Sequence, residues 1–312
     1  MKTYRIAVIG LPENDTSHRL PLSHHQRFEL LEPDAEHLDA VVVGSEPASH
    51  VADTLAALQK GLHVLVTLPF AIDLDAAQTM TEAAQASKRV CGVDYRFRFT
   101  PQALATKELI ENKHLGPMRS MEIAAQHGDR RLSERHDRGW WFERGLGGGV
   151  AALGLSNSID LAVWFAGRIP KNASGFIRTA NPHRQDKAGS FGATADDGAY
   201  ALLDFGNGLA ARLSNDGTAP VESYVCAVYG EDRVAVSSGR HAAETTLYTV
   251  DDDETNELQC KPSPYEKSLG VETALAMDLY DEFIKQIETG KSALPSFNDA
   301  LEVQRVLTMI GA

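Results

Sequence analysis

The chain has 312 residues, 43% of them hydrophobic and 23% charged, which is globular composition and excludes a disordered or fibrous protein. Its 30 Lys and Arg against 43 Asp and Glu give a formal charge of −13, so no nucleic-acid partner, which would need a basic face, is expected. There is no evident apolar run near the ~20 residues of a bilayer span and no room for a signal peptide before the first strand pattern, and Cys91, Cys226 and Cys260 lack metal or disulfide spacing; a cytoplasmic protein with free thiols and no membrane partner is expected.

Residues 4–10 read as a buried strand, and residues 27–31 as a second, short one. Residues 39–44, 63–67 and 89–93 are further apolar strand runs. Between them, Val51, Leu55 and Leu58 repeat at helical spacing before Gly61, and Leu74, Ala77, Thr81 and Ala84 do so on an alanine-rich helix. Strands without in/out alternation, joined by helices, predict a parallel sheet covered on both faces. After about residue 118 the period changes to two. Met121, Ile123 and Ala125 alternate with Glu122 and Ala124. Residues 199–205 and 209–214 flank Gly206-Asn207-Gly208, and residues 221–229 and 233–237 flank Gly230-Glu231-Asp232, two hairpin signals. Residues 245–250 add a strand, and the acidic run 251–254 reads as a solvated loop. Ala276, Leu279, Tyr280, Phe283 and Ile287 predict one closing helix, and Ala300, Val303, Leu307 and Ile310 a second. The expected fold class is α/β, with domains 1–117 and 118–312, the second carrying a large, open, mostly antiparallel sheet and a final helix that packs back.

Several stretches in this order resemble the Gfo/Idh/MocA family of nicotinamide-dependent sugar and polyol oxidoreductases. Asp39-Ala40-Val41-Val42-Val43 through Pro47 and His50 is similar to the family's third Rossmann strand and its Pro-x-x-His turn. Residues 57–66 lead into Thr67-Leu68-Pro69, where the family has Glu-Lys-Pro. Arg98-Phe99-Thr100-Pro101 resembles its Arg-Phe-x-Pro turn. Gly147-Gly148-Gly149, followed by Asp160, Trp164 and Gly167, resembles its glycine-rich entry to the active-site helix, and residues 283–307 its ending. The resemblance implies a Rossmann-like first domain and, if a dinucleotide binds, contacts from Gly10, Pro47, Pro69 and Arg98.

Applied residue by residue, the resemblance also shows what this chain lacks. The lysine beside the nicotinamide is Leu68 here. The aspartate and histidine that share proton transfer stand at Leu153 and Asn157, and of the catalytic positions only Asp160 is retained. Hydride transfer at a carbinol needs a group that exchanges the hydroxyl proton. Leucine cannot titrate, and asparagine hydrogen-bonds without changing charge. Asp160 reads equally as a structural helix residue.

The cofactor end departs too. Gly-x-Gly-x-x-Gly is replaced by Gly10-Leu11-Pro12-Glu13-Asn14-Asp15. Pro12 supplies no amide hydrogen, and a carboxylate ~4 Å from a phosphate charge costs about 4 kcal/mol at an effective dielectric of ~20. Residues 11–38 number 28, whereas two helices, a strand and their loops need roughly 43. The first helix is therefore expected to be missing or reduced to loop, with residues 33–38 a stub of the second. Neither Glu32 nor Asp34 is assignable to a ribose.

His18, His24, His25 and His37 read as loop histidines ahead of metal ligands, so no metal is expected. Trp140-Trp141-Phe142 suits either a sugar contact or packing. Arg130, Arg131, Arg135, Arg138 and Arg144 suit either an anionic ligand or, more simply, pairing with Glu134, Asp137 and Glu143. Three functions stay open: a degenerate family member with no or weak cofactor binding, acting as a ligand sensor or partner subunit; an active NAD(P)-dependent oxidoreductase on a sugar, inositol or related polyol with reassigned residues; and a carbohydrate-binding enzyme of another reaction type. A small molecule of the sugar or polyol class and a second copy of the chain, docked through the large sheet, are the expected partners.

Overall fold

The computed structural model describes residues 2–129, 137–252 and 254–312. In chain order its elements are β1 (Tyr4–Ile9), α1 (Arg19–His24), β2 (Phe28–Leu31), β3 (Ala40–Val43), α2 (His50–Gln59), β4 (His63–Val66), α3 (Leu74–Ser87), β5 (Cys91–Val93), α4 (Pro101–Glu111), β6 (Met118–Gln126), α5 (Ser156–Ala166), β7 (Asn172–Arg178), β8 (His183–Asp186), β9 (Gly189–Gly192), β10 (Gly198–Gly206), β11 (Leu209–Asp216), β12 (Ser223–Gly230), β13 (Val234–Gly239), β14 (Thr245–Val250), β15 (Thr255–Leu258), α6 (Glu266–Leu269), α7 (Val271–Thr289) and α8 (Phe297–Met309). Two compact units result: Met1–Phe99 with Pro262–Gln304, and Thr100–Lys261 with Arg305–Ala312. Residue 99, rather than 117, closes the first segment. The reason is that Gln102 Nε2 donates to the Thr245 carbonyl (2.6 Å) and Lys107 Nζ to that of Trp164 (2.9 Å), which tie α4 into the second unit.

In the first unit five strands pair in parallel in the order β2-β1-β3-β4-β5. Every residue of β3 is buried, as strands covered on both faces require. α3 begins where the Asp73 side chain, as N-cap, accepts from the amide of Ala76 (2.8 Å).

The segment from 11 to 38 is reduced as its length requires. The first helix is not lost to a loop as expected but survives as the six residues of α1, and residues 28–31 form the short strand. The expected helical stub over 33–38 is absent: residues 32–39 are turns, with His37 at φ +62°. β2 and β3 flank β1 on opposite sides, so these eight residues must carry the chain past it. A parallel crossover usually takes a dozen or more, which leaves no length for a helix. Asp39 secures the landing, because its carboxylate accepts from the Arg5 amide and its own amide donates to the Arg5 carbonyl, each at 2.8 Å.

His18 and His25 flank α1 in loop positions, as the sequence suggested, and both are buried. His18 Nδ1 lies 2.8 Å from the Tyr280 hydroxyl, and His25 Nε2 lies 3.2 Å from Asp281 Oδ1. With Phe28 edge-on to Tyr280 at 5.5 Å, these contacts pack α1 and β2 against α7. Among the described residues no cluster of three or more His, Cys, Asp or Glu could hold a metal ion.

The second unit is built on eight strands in the order β15-β14-β13-β12-β6-β11-β10-β7, antiparallel except for β11 with β6. β7, β15 and the separate β8–β9 hairpin are additions to the predicted strands. β7 is an edge strand, exposed at four of its seven positions, so it lacks the apolar alternation that marks a strand in sequence. One face of the sheet carries Leu203, Ala211, Met121 and Val228 in register, and α5 packs there against β6 and β11. The opposite face carries Leu202 and Phe176, each 58% exposed. The run Arg144–Ala166 spans 23 residues at mean hydropathy 1.3, enough by length and composition to cross a bilayer, contrary to the first reading; its burial over this sheet accounts for the apolarity.

Gly10 ends β1 at φ +80°, and a Cβ there would run into the backbone of Ser45. Gly10→Ala should destabilise the fold by about 3 kcal/mol, read as a lower denaturation midpoint at unchanged m-value.

Candidate functional site

Two places carry the family-like residues, one in each unit. In the first, the end of β1 meets α1. Asp15 folds back on the helix: its Oδ2 accepts from the amides of His18 (2.7 Å) and Arg19 (2.9 Å), and its Oδ1 accepts from the Ser17 hydroxyl (2.7 Å). Burial raises the pKa of this carboxyl, and the hydrogen bonds more than reverse that, so it lies below the ordinary carboxylate value. Arg19 reaches in the other direction and donates to the carbonyls of Leu11 (3.3 Å) and Val8 (3.2 Å). A dinucleotide fingerprint offers its phosphate free helix-start amides and glycine backbone. Here the amides at the start of α1 already bind a carboxylate, and Pro12 has no hydrogen to donate. These residues do not fit that cradle.

The other positions implied for a cofactor have roles within the fold. Pro47 opens a 3-10 turn, Pro47–Ser49, that leads into α2. His50 is fully buried between the carbonyls of Ser45 (2.8 Å) and Phe70 (3.2 Å), and burial lowers its proton affinity. Leu68 is half-buried in the turn after β4, and Pro69 beside it is buried. Arg98 is buried and paired with Asp299 at 3.4 Å. Beyond β5, Asp94 joins Arg96 and lies 3.2 Å from His18 Nε2. This makes a His18–Asp94–Arg96–Tyr280 cluster, to which the loop that carries Asp15 contributes His18, the segment after β5 Asp94 and Arg96, and α7 Tyr280.

In the second unit, Gly147, Gly148 and Gly149 lead into one wide π-helical turn, Ala151–Leu155, and then α5. Gly149 has φ +125°, and a Cβ there would collide with the Asp196 carboxylate. Asp196 Oδ2 accepts from the amide of Ala151 (2.7 Å) and its carbonyl from that of Val150 (3.1 Å). Burial raises the pKa of Asp196, and the bonds from backbone amides oppose it. Gly149 is thus needed for a carboxylate of the chain itself to reach the helix start, whereas a Cβ at Gly148 would meet the backbone of Trp140 and Trp141.

Leu153 and Asn157 are half-buried one turn apart, and Asn157 Nδ2 donates to the Leu153 carbonyl (3.0 Å). Asp160 is buried within α5 and engaged in the fold. Neither Leu153 nor Asn157 can exchange a proton with a substrate. Nearby, Asn215 packs on Gly154, and His127 Nε2 lies 2.7 Å from Asn215 Oδ1 while its other ring nitrogen meets Asp129. His127 is therefore a titratable group beside the glycine-rich helix that the sequence reading missed. It sits just past β6, outside every recognised motif, and only the pairing of β6 with β11 brings it to Asn215.

Trp140 and Trp141 are half-buried and Phe142 is buried against Phe191, with the Arg184 guanidinium 4.7 Å from its ring. Of the basic cluster, Arg130, Arg131 and Arg135 lie outside the described residues, as does Glu134. Arg138 pairs with Asp186 of β8 (2.7 Å), not with Asp137 or Glu143, and Arg144 Nη2 donates to the Gly311 carbonyl (2.8 Å).

Comparisons with known proteins agree with this architecture. Residues 28–95 match the oxidoreductase family with an NAD-binding Rossmann fold, and residues 103–236 match the GFO/IDH/MocA C-terminal domain. A 1,5-anhydro-D-fructose reductase of Ensifer adhaerens is 31% identical over 38% of this chain and 34% of its own length. An inositol 2-dehydrogenase of Saccharopolyspora erythraea is 27% identical over 67% of this chain and 54% of its own. The aligned regions thus span about half or less of these relatives. Among solved structures, levoglucosan dehydrogenase in complex with NADH and L-sorbose superposes with a TM-score of 0.86 at 17% identity, covering 100% of this chain and 96% of that one. The super-repressor mutant of Gal80p from Saccharomyces cerevisiae gives 0.83 at 17% identity, covering 99% and 95%. At that identity the likeness concerns the fold.

The buried cluster makes an acid-stability prediction. Burial works against ionised Asp94, and Arg96 and His18 outweigh it, holding the carboxyl at about 2, below its ordinary 3.8. A depressed value stabilises the fold above the unfolded pKa, and that contribution fades as the pH falls from about 4 toward 2. Asp94→Asn should therefore lower stability at neutral pH and flatten the loss of stability across that interval, measured by chemical denaturation at a series of pH values.

Proposed function

Because the chain belongs to the Gfo/Idh/MocA oxidoreductase family, we propose that it keeps the family's fold as a small-molecule binder of the sugar or polyol class. On this reading it performs no standard dehydrogenase chemistry and acts as a ligand sensor or partner subunit. The observation that carries the proposal is Asp15, whose carboxylate takes the α1 amides that a dinucleotide phosphate would need. Leu68, Leu153 and a self-bonded Asn157 at the family's proton-transfer positions support it. A neighbour of the same fold described as a super-repressor accords with a non-enzymatic role. Three cysteines free of disulfides accord with a reducing compartment.

The second reading is an active NAD(P)-dependent sugar or inositol oxidoreductase with reassigned residues. The reductase and dehydrogenase names of the relatives favour it, and His127 supplies a titratable group beside Gly154. Titration of the purified protein with NADH and NADPH, followed by nicotinamide fluorescence and calorimetry, separates the two. The sensor reading expects no saturable binding at micromolar dinucleotide and no oxidation or reduction of anhydrofructose or inositols. Saturable binding with turnover that His127→Asn abolishes would establish the second reading instead.

The open face of the large sheet supports a homodimer. Leu202 and Phe176 stand exposed with Tyr229, and the Arg212–Glu122 pair lies in the same register row as Leu202. Exposed apolar faces of this kind are rare on monomers, and a two-fold axis would let the patch cover its own copy. Sedimentation should give twice the 33.9 kDa chain mass, and Leu202→Asp should give the monomer. A wild-type monomer at micromolar concentration would rule the dimer out.

A further inference from the structure

A cavity of about 550 Å³ opens in the first unit, away from every residue discussed as a cofactor or substrate position. The turn after α7 forms its roof. The Val93 amide donates to the Pro295 carbonyl (2.9 Å), and Gly92 bridges Ser296, so residues 295–296 extend the sheet edge at β5. α3 closes the side, because Thr81 Oγ1 donates to the Phe297 carbonyl (3.3 Å) and Gln85 Nε2 to Asn298 Oδ1 (2.9 Å). Arg89 and Cys91 line the cavity where β5 begins, whereas Gly10 and Leu68 follow the far ends of β1 and β4 in the same parallel sheet.

The charge on this cavity runs against the charge of the chain. Arg89 and Lys291 both line it, and neither side chain makes an ion pair or hydrogen bond among the described residues. Both side chains are exposed, the Arg89 guanidinium resting near Gly61, so in a protein with 43 acidic and 30 basic residues two cations stand solvated at the rim of one cavity. The lining carboxylate, Asp299, is engaged elsewhere. Asp299 accepts from the Ser296 amide and hydroxyl (2.7 Å each) and pairs with Arg98, which is not part of the lining. The neutral polar groups can donate: Asn298 accepts from Gln85 through Oδ1, which leaves its NH₂ group, and the Ser292 hydroxyl is close by. Val90, Leu294 and Phe297 provide an apolar wall. Cys91 adds to that wall as an inert thiol, since burial pushes its pKa up to about 12.

We propose that this cavity is a second small-molecule site, which takes an organic anion, a carboxylate or a phosphate ester, held by Arg89 and Lys291 with its carbon body against Leu294 and Phe297. The volume falls within the usual range for metabolite sites. A guanidinium fork and a lysine point charge are the usual pair for oxyanions, and both are more effective where no chain carboxylate competes. The proposal does not depend on the sensor reading, because every residue it uses belongs to one unit and none is a position discussed for cofactor or proton transfer.

The test is calorimetry on the full chain at fixed ionic strength with three probes: citrate, glucose 6-phosphate and uncharged glucose. Citrate binding with glucose 6-phosphate silent marks a carboxylate site, and the reverse marks a phosphate-ester site. Either anion should bind with submillimolar Kd. The double variant Arg89→Gln, Lys291→Gln should weaken that binding at least tenfold, and Ser292→Trp, which fills the cavity, should abolish it. Thermal melts matching wild type certify that the variants fold. Failure of both anions to bind, or binding that survives in the double variant and in Ser292→Trp, would overturn the assignment. Glucose binding as tightly as its phosphate would overturn it as well, since the charge would then contribute nothing.

Discussion

Asp15 accepts from the amides at the start of α1, and much of the first unit is arranged around that contact. A helix start left open carries unsatisfied amides and partial positive charge, which a phosphate or a side chain must meet. Shortening the segment after β1 brings a carboxylate of the chain into that position. The same loop then turns His18 inward onto Tyr280 and Asp94, and Arg96 compensates the buried negative charge. Removing one member of such a buried set leaves another unpaired, which costs more than the pair contributes when whole. The contact at α1 and the packing of α7 are for that reason parts of one arrangement. A dinucleotide could not displace Asp15 without disturbing both.

The second unit repeats the device. Asp196 caps the wide turn before α5 through the opening that Gly149 leaves. One glycine of a run that in sequence resembles the family's glycine-rich entry is required here by a side chain of the chain itself. This is why the glycine pattern alone does not establish the family's chemistry in this protein.

Much of the architecture was legible because its signals are local. The uninterrupted Ala40–Val43 run gave a strand buried on both sides, and Ala276, Leu279, Tyr280 and Phe283 marked the buried face of α7. The family resemblance located Leu68, Leu153 and Asn157 at once. What stayed hidden depends on partners far away in the chain. His18 and Tyr280 are separated by 262 positions, so nothing near His18 shows that it is a core residue. Asp196 meets Ala151 across 45 positions, and His127 meets Asn215 across 88. The missing helix between β2 and β3 was misjudged for a different reason. A polar stretch with one proline suits either a helical stub or turns, and the need to pass β1 in eight residues decides the matter.

The account rests on the α1 amides being held by Asp15, and the amide resonances of His18 and Arg19 report on that directly. In ¹H–¹⁵N spectra, acid titration should move both together as the Asp15 carboxyl protonates, with a midpoint below the ordinary carboxylate value, because three bonds favour its ionised form. Adding NADH at neutral pH should leave both unmoved. If the two amides shifted with NADH and ignored the acid titration, a phosphate and not Asp15 would be their partner, and the account would be wrong.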